Sequence, residues 1–329
     1  GYIKTKFLKN QKKEKISRDF TEPVYSNMTE DHSINMAWHN VTNVAANNAV
    51  QQVLASTSGL TTIAPTWFSL ADTEGNISSI ADADYVNYAH TAGLEVWAVF
   101  RDFHGGTNSY DETYETLRYT SKRAKLEDQV VAAAVAAGVD GINLDFELIS
   151  SKCGVHYVQL VRELSVKCHQ NNLVFSVDNY VPQSYNSHYD LKEQGIVADY
   201  VVIMAYDEHT EGSYEAGSVA SISYLQDGIE KTLKKVSADK VIAGIPFFTR
   251  LWFETAKSSE QLSEEAGTEA ASYPNKVSSK ALGMEEAAQS VVNAGATAQW
   301  DEKTQQNYAK WSADGGTYRI WLEDAQSLE

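Results

Sequence analysis

The sequence predicts an α/β fold in which parallel strands alternate with helices and form a (β/α)8 TIM barrel. Short apolar runs of strand length recur along the chain, separated by segments with helical periodicity, which is typical of parallel β/α units. No Gly-rich phosphate-binding fingerprint is present, which disfavours a doubly wound nucleotide-binding sheet. The length of 329 residues suits one such barrel with small additions.

Seven barrel strands are predicted between residues 34 and 248. Each run is rich in apolar or β-branched residues and is bounded by polar or Gly-containing segments. The predicted strands are Ile34–Trp38, Leu60–Trp67, Leu94–Phe100, Val139–Glu147, Leu173–Val181, Tyr200–Tyr206 and Val241–Phe248. The predicted helices between them are Val44–Leu54, Tyr85–Ala92, Leu126–Ala137, Val155–Cys168 and Ser221–Leu233.

The fourth predicted strand carries the most informative chemistry. Its apolar residues alternate with Asn143, Asp145 and Glu147, which indicates a strand with one polar face. Catalytic groups of a β/α barrel lie at the carboxyl ends of its strands, where Glu147 would be. The two acids would lie roughly 6–7 Å apart, and repulsion with partial burial would keep a proton on one of them, a candidate general acid. The alternatives are a helix surface, on which Asp140, Asn143 and Glu147 also align, and an edge strand with a solvated acidic face.

Three segments resemble motifs of glycoside hydrolase family 18, the chitinase-like enzymes. Asp140–Glu147 is similar to the DxxDxDxE signature, with Asn143 where most chitinases carry Asp. Asn is usual there in the branch of spore cortex-lytic and cell-wall N-acetylglucosaminidases. Met204–Asp207 resembles the family's Met-x-Tyr-Asp motif, and Gly244–Arg250 resembles Gly-Ile-Pro-x-Tyr-x-Arg with Phe248 in place of Tyr. The resemblance covers roughly residues 34–325.

The resemblance implies retaining hydrolysis of β-linked N-acetylglucosamine glycosides, in which the substrate's acetamido oxygen is the nucleophile. Glu147 would protonate the leaving oxygen and then act as base on water. Asp145 would orient the acetamido N–H, Asn143 would hold Asp145 by a hydrogen bond, and Tyr206 would donate to the acetamido oxygen. Asp140 would have a supporting role only. The residues expected to line the sugar subsites are Met204, Asp207, Trp67 and Arg250.

Several alternatives remain open on the sequence. On pattern alone, Met204 and Tyr206 would fit a packed core better than a functional site, and only the fourth-strand motif reverses that choice; Arg250 would suit a structural ion pair. The natural polymer would be peptidoglycan or chitin. A non-catalytic, lectin-like sugar-binding barrel is the main rival, although such relatives usually lose the acid that Glu147 represents. An ordinary two-carboxylate glycosidase would need a second acid about 5–10 Å from Glu147, for which the candidates are Asp178 and Asp207.

Composition and missing motifs exclude other classes of function. The net charge of −17 disfavours nucleic acid as a partner. The resemblance to family 18 implies an N-acetylglucosamine-containing polysaccharide as the partner. No zinc-ligand spacing and no nucleophile elbow is present, so no metal and no cofactor are expected. No apolar run reaches the about 18 residues of a membrane span. We expect a monomer that acts outside the cytoplasm, as a secreted, cell-wall or spore-associated protein.

The two cysteines, Cys153 and Cys168, flank a predicted helix that would hold them roughly 20 Å apart. A disulfide needs Cα atoms within about 7 Å, so two free thiols are expected.

The ends of the chain are predicted to differ from the barrel. Residues 1–30 are expected to form a linker, within which Gly1–Leu8 alternates like the last strand of an SH3-like wall-binding module. Residues 31–329 would form the family 18 barrel, with a small α+β insertion after strand 7 at about 253–322. Strands are predicted at 297–300 and 317–322. Either Tyr318–Leu322 closes the barrel as its eighth strand, or the final β/α unit is absent, and the second is favoured.

Overall fold

A computed structural model describes residues 26–328, together with residues 4, 6, 9 and 12. Most of the predicted linker, including most of the alternating Gly1–Leu8 segment, therefore lies outside the described residues.

Seven parallel strands form one curved sheet, which confirms the predicted barrel-type architecture. The hydrogen-bonded order is β1-β2-β5-β6-β7-β8-β9, where the strands are β1 (Met36–His39), β2 (Thr62–Pro65), β5 (Glu95–Arg101), β6 (Gly141–Asp145), β7 (Val174–Tyr180), β8 (Tyr200–Met204) and β9 (Val241–Gly244). Two short strands that were not predicted, β3 (Phe68–Leu70) and β4 (Ile77–Ser79), form a hairpin, and β3 pairs in parallel with β5. Apart from the β3–β4 hairpin, strands that pair in this sheet also follow one another in the sequence, because the helices between them carry the chain back to the same end of the sheet.

Helices cover one face of this sheet and enclose the main apolar core. They are α1 (Val50–Ala55), α2 (Ala83–Thr91), α3 (Tyr110–Leu117), α4 (Thr120–Ala137), α5 (Gly154–Gln170), α6 (Leu191–Val197) and α7 (Ile222–Leu233). The predicted stop at Gly138 is confirmed: it follows α4 with a φ of 78°, a left-handed conformation that Gly adopts without strain. The short helices α3 and α6 were not predicted. Side-chain caps from Ser109 and Asp190 start them.

The sheet is open between its first and last strands. Within residues 26–328, no eighth parallel strand joins it, and β1 and β9 are not paired with each other. A groove of about 310 Å³ separates them, lined mainly by residues 34–38 and 242–248. The described barrel thus lacks a closing eighth strand, as the sequence favoured.

A second, antiparallel sheet follows the barrel and corresponds to the predicted α+β insertion. Its order is β11-β10-β14-β13-β12, with β10 (Phe248–Ala256), β11 (Asn275–Gly283), β12 (Gln299–Asp301), β13 (Gln306–Ala313) and β14 (Gly316–Leu322). Its helices are α8 (Ser259–Glu264), α9 (Met284–Asn293) and α10 (Ala325–Leu328). The alternative in which Tyr318–Leu322 closes the barrel is wrong, because β14 pairs with β10 and β13. The apolar face of α9, with Ala287 and Val291, packs on this sheet and gives it a small core of its own.

Three further observations bear on the predictions. Both cysteines are buried and free, as expected. Among the described helices, none is long and apolar enough to cross a membrane. Residues assigned to the linker are tied to the barrel, since the backbone N–H of Met28 donates to Asp199 at 2.7 Å and that of Glu30 donates to the Tyr200 hydroxyl at 2.7 Å.

Candidate active site

The acidic motif lies in the middle of the barrel sheet, on β6. This strand pairs with β5 on one side and β7 on the other, so both the helix and the edge-strand alternatives are excluded. Ile142, Leu144 and Phe146 are buried in the core shared with the helices. The alternating polar residues therefore face the barrel interior, and Glu147 follows the carboxyl end of the strand, as predicted.

Asp102, just after β5, fixes the backbone that carries Glu147. Its carboxylate accepts the backbone N–H of Glu147 at 2.9 Å and that of Leu148 at 3.0 Å, and it also accepts the Thr113 hydroxyl at 3.1 Å. The side chain is fully buried, and burial raises its pKa to about 7. The sequence did not identify Asp102, because an acidic residue in a loop is not part of a periodic pattern that would indicate its backbone contacts.

The Glu147 carboxyl is poised near the mouth of the barrel. Its Oε2 accepts a hydrogen bond from the hydroxyl of Tyr180, the last residue of β7. Burial raises the pKa of Glu147 above its ordinary value, repulsion from Asp207 adds to this, and the Tyr180 hydrogen bond and His104 oppose it. A carboxyl whose pKa is raised keeps its proton closer to neutral pH, which is what a general acid needs.

Asp145 lies two residues before Glu147 on the same face of the strand, and its pKa is also raised. Burial is the main reason that its pKa lies well above the ordinary value, and repulsion from Asp178, Glu147 and Asp102 adds to it. The guanidinium of Arg101 on β5 opposes these effects. The neighbouring carboxyls predicted for this face therefore do cluster, together with Asp178 on β7 and Asp102 just after β5.

Asn143 does not make its predicted hydrogen bond to Asp145. Its amide nitrogen donates to Ser176 Oγ at 2.9 Å and to Asp178 Oδ1 at 2.7 Å, and its oxygen accepts from Trp38 Nε1 at 2.9 Å. An indole N–H can only donate, so Trp38 fixes which end of the amide is oxygen. Both amide hydrogens are thus donated to side chains on β7, and the predicted hydrogen bond from Asn143 to Asp145 is wrong.

The sixth predicted strand brings Met204 and Tyr206 to the same end of the barrel. Met204 ends β8 and is nearly buried. Tyr206 lines the groove between β1 and β9, and its ring meets Phe248 edge to face at 6.2 Å between centroids. Burial raises the pKa of Tyr206, and the nearby carboxyls of Asp178, Asp145 and Glu147 raise it further, so its hydroxyl keeps its proton as a hydrogen-bond donor.

Asp207 and Arg250 lie at the boundary between the two sheets. Asp207 is exposed and has a φ of 59°, a left-handed conformation that Asp tolerates better than most residues. Although the residue as a whole is exposed, its carboxyl is partly withdrawn from solvent, which raises its pKa, and the charge of Arg250 lowers it. Arg250, on β10, donates to Ser279 Oγ at 3.0 Å. The two residues that the sequence assigned to sugar subsites are therefore within electrostatic reach of each other.

Trp67 corrects one prediction. The side chain is only 2% exposed, its indole N–H donates to the Asn47 side chain at 2.7 Å, and its ring packs edge to face on Tyr85. It is a core residue under the helices, so it cannot offer a face to a sugar. The strand that was predicted to end at Trp67 ends at Pro65.

Asp140 has a structural role at the opposite end of β6. Its carboxylate accepts the backbone N–H of Val96 at 2.8 Å and lies 2.8 Å from His90 Nε2. It ties β5, β6 and α2 together, which agrees with the supporting role assigned to it.

Comparisons with known proteins agree with this geometry. The profile of the family described as glycosyl hydrolases family 18 matches residues 37–329. The glycosylase YvbX of Bacillus subtilis, described as uncharacterized, is 28% identical over 188 residues, which cover 54% of this chain and 54% of the relative. This chain spans about half the length of the curated relatives it matches.

Solved structures share the fold at low sequence identity. The spore cortex-lytic enzyme SleL of Bacillus cereus aligns with a TM-score of 0.72 and 20% identity, over 89% of this chain and 65% of that one. A chitinase of Chromobacterium violaceum aligns with a TM-score of 0.72 and 20% identity, over 90% and 88% of the two chains.

Proposed function

The chain belongs to glycosyl hydrolases family 18, and from this membership we propose that it hydrolyses β-linked N-acetylglucosamine glycosides with retention of configuration. One observation carries the proposal: Glu147 stands at the carboxyl end of β6 with a raised pKa, on a backbone that Asp102 anchors. A sugar-binding barrel without activity would not require a carboxyl to be anchored there with a raised pKa.

The proposed reaction uses the substrate as its own nucleophile. Glu147 gives its proton to the glycosidic oxygen as the bond from that oxygen to the anomeric carbon breaks. The acetamido oxygen forms a new bond to the same carbon and gives an oxazolinium-like intermediate. Water then attacks the anomeric carbon from the vacated side, Glu147 takes a proton from it, and the bond to the acetamido oxygen breaks.

Three neighbours would support these steps. Asp145 would accept a hydrogen bond from the acetamido N–H and stabilise the positive charge that develops there. Tyr206, which keeps its proton, would donate to the acetamido oxygen. Met204, Asp207 and Arg250 would line the sugar subsites, and Arg250 would hold Asp207 in place by charge.

We infer that the natural polymer is peptidoglycan and that the protein acts at the cell wall or spore, outside the cytoplasm. The structural likeness to an enzyme described as spore cortex-lytic supports this choice, as does Asn143 in the acidic motif. Chitin is the alternative, because the chain is equally similar in fold to chitinases. Comparing the rates of release of reducing ends from purified spore cortex peptidoglycan and from chitin oligosaccharides would separate the two.

The test of the reaction compares the wild type with Glu147→Gln on 4-nitrophenyl N-acetyl-β-chitooligosaccharides and on the unlabelled oligosaccharides. Loss of the general acid should lower kcat by about 10²–10⁴-fold, with the larger loss on the unlabelled sugars, whose leaving group is poorer. Glu74→Gln, a change to a surface carboxylate paired with Lys122, is the matched control and should keep the wild-type rate. Equal rates for wild type and Glu147→Gln would contradict the assignment, and oligosaccharide binding without turnover in the wild type would favour the lectin-like barrel.

A further inference from the structure

Two acids face each other across β6 and β7. Asn143 pairs with Ser176 and Leu144 pairs with Val177, so the next positions in register are Asp145 and Asp178. Parallel strands lie about 4.8 Å apart, and residues two positions on from a contacting pair point to the same face. Asn143 and Ser176 are in hydrogen-bond contact inside the barrel, which places the carboxyls of Asp145 and Asp178 side by side there.

In each of these carboxyls, one oxygen is buried and has no hydrogen-bond partner among the described residues. Asn143 donates to Asp178 Oδ1, and within the described part of the chain Asp178 Oδ2 has no hydrogen-bond partner. Asp145 Oδ1 is likewise buried and without a partner. Two buried acceptor oxygens that face no donor are costly, and a single proton between neighbouring carboxyls satisfies both.

We propose that Asp178 is a positioning residue of this site and shares one proton with Asp145, through Asp178 Oδ2 and Asp145 Oδ1. The proposal rests on the proposed function for its catalytic consequence, but the shared proton itself does not. Asn143 has no titratable group, but its amide donates a hydrogen bond to Oδ1, the other oxygen of the Asp178 carboxyl, and so fixes the orientation of that carboxyl.

The surrounding charges favour a pair that carries one proton and one negative charge. Repulsion from Asp178 is the largest charge effect on Asp145, and burial raises the pKa of Asp178 to about 8. The Arg101 guanidinium on β5 is a cation beside the pair, and its charge lowers the pKa of Asp145. The titratable groups that interact electrostatically with Asp145 or Asp178 from the packed elements include Asp102, Glu147, Arg101, Tyr157, Tyr180 and Tyr206.

The shared proton would set the orientation of Asp145 for the reaction. With Oδ1 bonded to Asp178, Asp145 presents Oδ2 to the substrate, where it would accept the acetamido N–H. The pair keeps a single negative charge beside the positive charge that develops on the substrate. Two ionised carboxylates would repel each other, and Asp145 would lose this orientation.

The test measures the infrared band of protonated carboxyl groups at neutral pH, without substrate, in the wild type and in Asp145→Asn, Asp178→Asn and the double variant. Asn matches Asp in shape, and thermal unfolding checks that each variant folds. We expect each single variant to lose the same one band and the double variant to lose no more than either. Ser176→Ala, which removes the other acceptor of the Asn143 amide but no titratable group, should keep the band.

Retention of the band in Asp178→Asn would overturn the proposal, because Asp145 would then hold its proton alone. Two bands lost in the double variant, or none lost in any variant, would overturn it as well. In an active wild type, Asp178→Asn should lower kcat roughly 10-fold with little change in KM, since the group acts through Asp145. A wild type that has the shared band but no turnover would contradict the proposed function and leave the proton pair standing.

Discussion

The hydroxyl of Tyr180 donates a hydrogen bond to Oε2 of Glu147, and so joins the end of β7 to the candidate acid that follows β6. A hydrogen bond to a carboxylate stabilises its ionised form, so this contact lowers the pKa of Glu147 while burial and Asp207 raise it. The acid thus has a pKa set by opposing effects, one of which can be removed without changing the carboxyl itself.

Tyr180→Phe should raise the pKa of Glu147, because it removes the largest effect that lowers it. An acid must be protonated to act, so the alkaline limb of the profile of kcat/KM against pH should move to higher pH. At neutral pH we expect kcat to fall by roughly 3–10-fold, since the carboxyl also loses its orientation. The measurement is the pH–rate profile on a 4-nitrophenyl chitooligosaccharide. Tyr185→Phe, on a residue 77% exposed, is the control, and a shift of the limb to lower pH would contradict this account.

Asp102→Asn should loosen the backbone beneath Glu147. The carboxylate accepts two backbone N–H groups and a hydroxyl with its two oxygens, and an amide would turn a donor toward at least one of them. An unsatisfied buried group of this kind costs about 1–3 kcal/mol, so we expect a loss of that size in the free energy of unfolding, together with lower kcat. Urea unfolding and the same activity assay check both effects. Asp111→Asn, on an exposed carboxylate paired with Lys152, should change neither, and a fully stable Asp102→Asn variant would show that the anchor is dispensable.

Glu127→Gln should reveal a pH dependence of stability that lies outside the site. Burial raises the pKa of this α4 carboxyl to about 8 from its ordinary value of 4.5, despite an ion pair with Lys167 at 3.0 Å. The folded state therefore binds the proton more tightly than the unfolded state, and the stability this gives is complete below about pH 4.5 and is lost as pH rises to about 8.

A neutral Gln does not titrate, so the variant should lose less stability over that interval than the wild type. The slope attributable to Glu127 is at most about 1.4 kcal/mol per pH unit, and coupling to Lys167 and Glu163 makes it smaller. Urea unfolding at pH 5, 6, 7 and 8 measures the two slopes, with Glu74→Gln as the exposed control. Parallel curves for wild type and Glu127→Gln would show that the carboxyl is not protonated in the folded state.

The acidic strand illustrates which structural features can be predicted from local sequence. The alternation through Asp145 and Glu147, the Gly138 stop and the placement of Met204 and Tyr206 all depend on neighbours a few residues away. Periodicity and turn chemistry report such neighbours directly, so the parallel sheet and the face that bears the acids were predictable. The bounds of the strands were less so, since pairing ends β6 at Asp145 rather than at Glu147.

The partners of those residues were decided by tertiary structure alone. Tyr180, Asp102 and Asp178 lie between 33 and 45 residues from the side chain or backbone they meet, and the Trp38 contact to Asn143 spans 105 residues. The burial of Trp67, and the commitment of Asn143 to Ser176 and Asp178 rather than to Asp145, follow from the same cause.

By itself, the sequence determined the strand, its polar face and the acid at its end, because backbone geometry repeats over a few residues. Only the packed structure decided which groups hold that acid, which oxygen has no donor and which aromatic ring is buried. Those outcomes depend on contacts between distant segments, where hydrogen-bond geometry and the loss of solvent are set by the whole sheet.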